Sequence, residues 1–87
     1  MNPLNYTNIT SGTTTVVKSG RGNLAKIIVN TTAAGTITVY DNTSATGTKI
    51  ATMKASIFEG SYEYNCRFLT GLRIVTAAAS DITVIWE

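Results

Sequence analysis

"GTITVYDNTSATGTKIATM", Gly35 to Met53, is the stretch whose reading decides the fold. Thr36, Thr38 and Tyr40 alternate with Ile37, Val39 and Asp41, a small polar loop comes next, and a second alternating run starts at Thr48. Successive side chains on a strand point to opposite faces, so alternation on both sides of an Asp/Asn/Ser/Gly cluster reads as a β-hairpin. Thr, Val, Ile and Tyr are also the residues that sit best on a pleated surface.

Outward from that hairpin the same pattern recurs. Alternating runs place strands near Asn5–Thr10, Thr13–Ser19, Leu24–Thr31, Thr36–Asp41, Thr48–Lys54, Tyr62–Leu69, Leu72–Ala77 and Ile82–Trp86. Between them lie Gly12, "SGRGN" (Ser19–Asn23), "AAG" (Ala33–Gly35), "DNTSATG" (Asp41–Gly47), "EGS" (Glu59–Ser61) and "TG" (Thr70–Gly71), all turn-forming. Apolar spacing at i, i+3, i+4 and i+7 is sustained nowhere; only "ATMKASIFEG" (Ala51–Gly60) leaves room for a helical turn. The expected fold is all-β: a single antiparallel β-sandwich of about eight strands, with Greek-key or jelly-roll-like connections, over residues 1–87. Residues 1–10 read either as an extended N-terminal arm or as the first strand. The expected core is Val17, Ile27, Val29, Ile37, Val39, Ile50, Phe68, Leu72, Ile74, Ile82 and Val84.

With 87 residues and 9.3 kDa the chain makes one small domain. Area scaling leaves roughly 5,000 Å² exposed, so the core is thin and oligomerisation would add burial. Cys66 is the single cysteine and forms no intrachain disulfide. "MNPLNYTNIT" has no basic segment leading into an apolar run, and no stretch approaches the ~20 apolar residues that span a bilayer. Synthesis in a reducing cytosol, with no membrane partner, is the expectation.

The faces of the strands are less clean than a sandwich with one wet side requires. In Leu24–Thr31, period two sends Ala25, Ile27 and Val29 one way and Leu24 and Ile28 the other. Tyr62, Tyr64, Cys66 and Phe68 share a side, as do Ile82, Val84 and Trp86, while Ile85 points away. Two-sided apolar strands in so small a domain predict that an outer face is covered, most simply by another copy.

Chemistry-bearing residues are few. No histidine is present, so imidazole ligands and His-based triads are excluded. Cys66 on an apolar face reads as core filler. Glu59 and Glu63 flank a turn, and nothing sets two carboxylates across a cleft. Asp41 with Asn42 reads as an Asx-turn cap before it reads as a calcium ligand pair. "SGRGN" lacks the Lys-Ser/Thr of a phosphate loop and reads as a hairpin turn whose Gly supplies positive φ. Four N-x-S/T triplets, at Asn5, Asn8, Asn30 and Asn42, are expected by chance in a chain with sixteen Thr. The seven Lys and Arg are scattered, which argues against nucleic acid. No catalytic residue, cofactor ligand or metal ligand is expected. The aromatics and the arm supply the interface candidates: Leu4, Tyr6, Ile9, Tyr40, Tyr62, Tyr64 and Trp86. Tyr and Trp are enriched at interfaces, although Trp86 reads most simply as a lock that holds the last strand in the core, ahead of an interface or sugar-stacking role.

From Val16 onward, "VVKSGRGNLAKIIVNTTAAGTITVYDNTSATGTKIATM" and then "EGSYEYNCRFLTGLRIVTAAASDITVIWE" resemble a family of small proteins of tailed bacteriophages. The shared run is a Gly-rich turn, a strand ending near "VN", "GTITVYDN", "GTKIA", "F-x-TGL-x-IVTA" and a closing "DITV". The resemblance implies a non-enzymatic virion structural protein, most simply a capsid decoration or cement protein. Made in the host bacterial cytoplasm, it would sit on the head as a homo-oligomer, a trimer by analogy, against the major capsid protein or another virion protein. A tail, baseplate or fibre component and a small carbohydrate-binding module remain as alternatives. The shared motif consists of turns and core positions, so it transfers no ligand residues.

Overall fold

The computed structural model describes residues 4–43 and 47–87. Within them, eight strands succeed one another: β1 (Asn5–Ile9), β2 (Thr14–Ser19), β3 (Gly22–Thr31), β4 (Ile37–Asp41), β5 (Thr48–Met53), β6 (Gly60–Phe68), β7 (Gly71–Thr76) and β8 (Asp81–Trp86). They form two four-stranded antiparallel sheets, in the orders β1-β8-β3-β6 and β2-β7-β4-β5. The pairs β1–β8, β2–β7, β3–β6 and β4–β5 nest like one long hairpin with β4–β5 at its tip. Rolling that hairpin brings β8 against β3 and β7 against β4. This is the jelly roll, one way in which antiparallel sheets manage their edges. Among the described strands, Gly35 to Met53 is therefore the one place where consecutive strands pair; its loop residues 44–46 lie outside the described part.

The core fills the space between the sheets: Ile9, Leu24, Ile27, Val29, Ile37, Val39, Met53, Phe68, Leu72, Ile74, Ile82 and Val84. The folded surface of 4777 Å² is close to the scaling expectation. Val17 and Ile50, expected inside, are only partly buried against this core. Both fall in irregular register, Val17 between Val16 and Lys18, and Ile50 opposite the shift between Val39 and Tyr40. A bulge adds one residue without a partner, so the side chains after it change face relative to strict alternation.

The same device overturns the reading of β3. The register shifts between Leu24 and Lys26, leaving Ala25 as the irregular residue, and Leu24 joins Ile27 and Val29 in the core. Much of the apparent two-sidedness of that strand is thus a bulge. Ile28 does stay outward, as Ile85 does on β8; both are half-buried.

Other expectations are corrected by topology. "SGRGN" is not a hairpin turn, because β2 and β3 belong to different sheets; Gly20 has φ 93° as expected, at the corner where the chain changes layer. Gly22 is required for space: a Cβ there would lie 2.5 Å from the Glu87 carbonyl oxygen and 2.7 Å from the Phe68 ring. Ala51–Gly60 holds no helix but a turn with Ser56 at φ 55°. Asn5–Ile9 is not an arm but β1, paired to β8 from Asn5↔Trp86 to Ile9↔Ile82.

The bulge in β3 makes a sharp contrast measurable by urea unfolding. Leu24→Ala should cost about 2–5 kcal/mol, as for a core leucine, and Ile28→Ala less than about 1 kcal/mol. Equal costs would mean that strict alternation holds and Leu24 is not a core residue.

Candidate interaction surface

Outward positions on the β2-β7-β4-β5 sheet are set by its inward ones. Leu72, Ile74 and Val39 are fully buried in the core, so Arg73 and Tyr40 between and beside them project to the outside. Register then builds one row across the face, Val16–Arg73–Tyr40–Lys49, and a second, Thr14–Val75–Thr38–Thr52. Arg73 is nevertheless only 5% exposed. Its guanidinium carbon lies 4.3 Å from the Tyr40 ring centroid, in cation–π range. Its Nε is buried with no partner, and no hydrogen bond or ion pair from the described residues reaches the group. Buried charges are ordinarily paired, because desolvation of an ion costs several kcal/mol. Thr32 Oγ1 and Ser80 Oγ are also buried without partners, but they are neutral hydroxyls.

The nearest acid along β4 is Asp41, and it is engaged elsewhere. Its carboxylate accepts the backbone N–H groups of Leu69 (3.0 Å), Thr70 (2.8 Å) and Gly71 (3.4 Å), clasping the β6–β7 turn. Desolvation pushes the carboxyl up, but the amides of Thr70, Leu69 and Gly71 outweigh it, and Asp41 stays below the ordinary carboxylate value. Asn42 Oδ1 accepts the Thr43 N–H at 2.7 Å. Burial, and after it the charge of Asp41, raises the Cys66 thiol, which makes it a weaker nucleophile. Among the described residues there is no cavity and no trio of Cys, Asp or Glu placed to hold a metal ion.

The outer face of the β1-β8-β3-β6 sheet is organised differently. One row runs Tyr6–Ile85–Lys26–Glu63. Beside it, Asn8 and Asn30 each donate to Asp81 Oδ1, at 2.8 and 3.2 Å, and to Thr83 Oγ1, at 3.4 and 3.0 Å. Charges of both signs are present there.

The structure scatters the expected interface residues. Leu4 (47%) and Tyr6 (74%) are exposed at the β1 edge, and Tyr40 lies on the Arg73 face. Ile9, expected at an interface, is 4% exposed and belongs to the core, because its register partner Ile82 faces inward. Tyr62, Tyr64 and Trp86 also pack against the core rather than standing free. Tyr62 donates to the Phe58 carbonyl, and Trp86 Nε1 donates to Thr7 Oγ1 at 3.1 Å under the Lys18 ammonium. Arg73, Val16, Phe58 and Leu69 were not expected. Arg73 had a legible signal, a charge in the middle of the apolar run "LRIV". Phe58 and Leu69 had none, being exposed tips of turns. No family profile and no curated protein sequence matches the chain.

Two measurements probe Asp41 and Arg73, whose side chains leave the β2-β7-β4-β5 sheet on opposite faces. Because the folded-state pKa of Asp41 is depressed, its stabilisation is present above the unfolded carboxylate value and lost as pH falls through the folded one. Asp41→Asn should lower stability near neutral pH by about 1–2 kcal/mol, discounted for solvent exposure. The gap from wild type should close below about pH 4; a gap independent of pH would show that the charge is irrelevant. Arg73→Met, which removes an unpaired buried cation while keeping the stem volume, should leave the melting temperature unchanged or raise it. A clear fall would mean that the guanidinium is satisfied within the fold.

Proposed function

We propose that this protein is a non-enzymatic structural component of a tailed-bacteriophage virion, a capsid decoration or cement protein acting through protein–protein contacts. The observation that carries the reading is the outer face of the β2-β7-β4-β5 sheet. It presents Thr hydroxyls and apolar side chains, with Lys49 at the end of one row, around a largely buried Arg73 that has no hydrogen bond or ion pair from the described residues. Hydroxyls and an aromatic-backed Arg pair with a protein surface at low desolvation cost, and Tyr and Arg are the residues that carry interface energy. The jelly-roll fold supports the reading because virus capsid domains use it repeatedly, although fold by itself does not assign function. The resemblance of Val16 onward to small phage proteins supports it independently. On this reading the protein is made in the host bacterial cytoplasm and ends in the virion, as a homotrimer seated on the major capsid protein or another virion protein.

One further observation favours a second reading. Exposed Tyr6 shares the outer face of β1 with Asn8, whose amide joins Asn30 and Thr83 around the Asp81 carboxylate. An aromatic beside converging Asn and Asp groups is the makeup of a sugar site, so a carbohydrate-binding module is the alternative. A glycan-array signal lost in a folded Tyr6→Ala variant would establish it.

Light scattering over a dilution series tests the assembly, with a mass of about three times 9.3 kDa expected. Quantifying the tagged protein in purified virions tests the location: hundreds of copies per particle are expected on a head, against tens on a tail.

A further inference from the structure

Arg73 occupies an unusual position: it lies in a central strand, on the outer face, almost wholly buried, and with no hydrogen bond or ion pair from the described residues. We infer that Arg73 is the anchor of a carboxylate-binding site whose ligand is an acidic side chain of a foreign protein docking on the β2-β7-β4-β5 face. The inference rests on the reading of the chain as a protein-binding module and names the chemistry that its partner must supply.

The geometry selects a carboxylate. Nε is buried, so only the terminal end of the guanidinium meets solvent, and that end presents two parallel N–H groups to a planar acceptor. Tyr40 backs the guanidinium, whose carbon lies 4.3 Å from the ring centroid. The neighbouring backbone amides on β2, β7 and β4 are engaged in the ladders that hold this sheet together. They are not gathered into the nest of free N–H groups that phosphate sites use. One guanidinium balances one negative charge, and the Thr14 and Thr38 hydroxyls stand in the next row of the same face, beside Val75.

Shape and charge further require that the carboxylate come from a protein, and that this protein not be a second copy. A free small acid on a sheet face without a cavity among the described residues would be touched from one side only, whereas ligand sites bury most of a small molecule. Two copies meeting face to face on this sheet would bring Arg73 and Lys49 against Arg73 and Lys49, a like-charge contact. The acids Glu63 and Asp81 lie on the opposite outer face of the slab, which measures 31 × 30 × 17 Å. Joining opposite faces of a slab stacks copies without closure, the geometry of fibres rather than of a discrete oligomer. A foreign acidic surface satisfies Arg73 with neither penalty.

The test monitors the Arg73 Nε–Hε signal and the backbone amides of Val16, Tyr40 and Val75 by NMR. A short capped oligoglutamate peptide is titrated, with oligoglutamine and inorganic phosphate at matched ionic strength as controls. The expected result is a saturable shift of these signals with oligoglutamate alone, lost in Arg73→Gln and weakened in Arg73→Lys, which keeps the charge but not the planar fork. Three outcomes overturn the inference: no shift at Arg73, an equal or larger shift with phosphate, or the same shift on raising protein concentration without peptide, which marks self-association. Arg73→Lys keeps the test decisive should Arg73→Gln fail to fold. The two readings also fail separately. A protein found in virions whose Arg73 ignores oligoglutamate loses the site and keeps the proposed function; one that binds oligoglutamate at Arg73 but is absent from virions loses the proposed function and keeps the site.

Discussion

The fold depends on where its last two strands sit. β7 lies between β2 and β4 at the centre of one sheet, and β8 lies between β1 and β3 at the centre of the other. Neither sheet exists as a continuous surface until the final quarter of the chain is in place. Ile74, Ile82 and Val84 are then fully buried from both sides of the sandwich, and the backbones of Asn23 and Glu87 exchange hydrogen bonds of 2.9 and 3.0 Å beyond Trp86. The local β4–β5 hairpin is the one cheap element among the described strands; every other pairing closes a longer loop first. Such a topology folds slowly for its size, because the entropy of loop closure precedes the contacts that offset it.

That central placement explains the behaviour of Arg73. An arginine on an edge strand swings its head past the last backbone into water. On β7 the neighbours in register are Val16 on one side and Tyr40 on the other, so the stem is walled along its length and the head is held under the Tyr40 ring. Asp41 is adjacent to Tyr40 in sequence yet on the opposite face by period two, and the amides of Leu69, Thr70 and Gly71 hold its carboxylate. The acid that sequence proximity would offer to Arg73 is thus committed to the turn that leads into the arginine's own strand. One residue of alternation separates a structural charge from a free one.

Strand positions were legible because period-two alternation and turn residues are local signals, and the chain carries few competing ones. Faces were less legible. At Ala25, Val17 and Ile50 a single irregular residue moves the later side chains of the strand to the other side, and a bulge has no marker in side-chain type. Leu24 was misplaced for that reason, and the case for a covered outer face lost part of its support with it. The corner at Gly20 was legible as a positive-φ turn but not as a change of sheet, because the conformation of one glycine does not reveal which strands pair. For the surface, aromatic content was a poor guide: Tyr62, Tyr64 and Trp86 lean on the core, while the group that stands out physically is a cation inside an apolar run.

A cation of this kind works against the stability of the domain that carries it. The thin core of a 9.3 kDa sandwich leaves a margin of several kcal/mol at most, and a buried guanidinium Nε without a partner takes a share comparable to a core methylene or more. Methionine would fill the same volume between Val16 and Tyr40 without that cost. Arginine is the better choice where the face is later covered: a partner's carboxylate arriving in a water-excluded contact gains from the low dielectric that makes the bare ion expensive. The strain is then a form of pre-organisation. The free protein holds Nε desolvated and the guanidinium against the Tyr40 ring, and binding has less left to order. A buried Nε left without a partner in the isolated domain fits the proposed role of a part that docks on another protein.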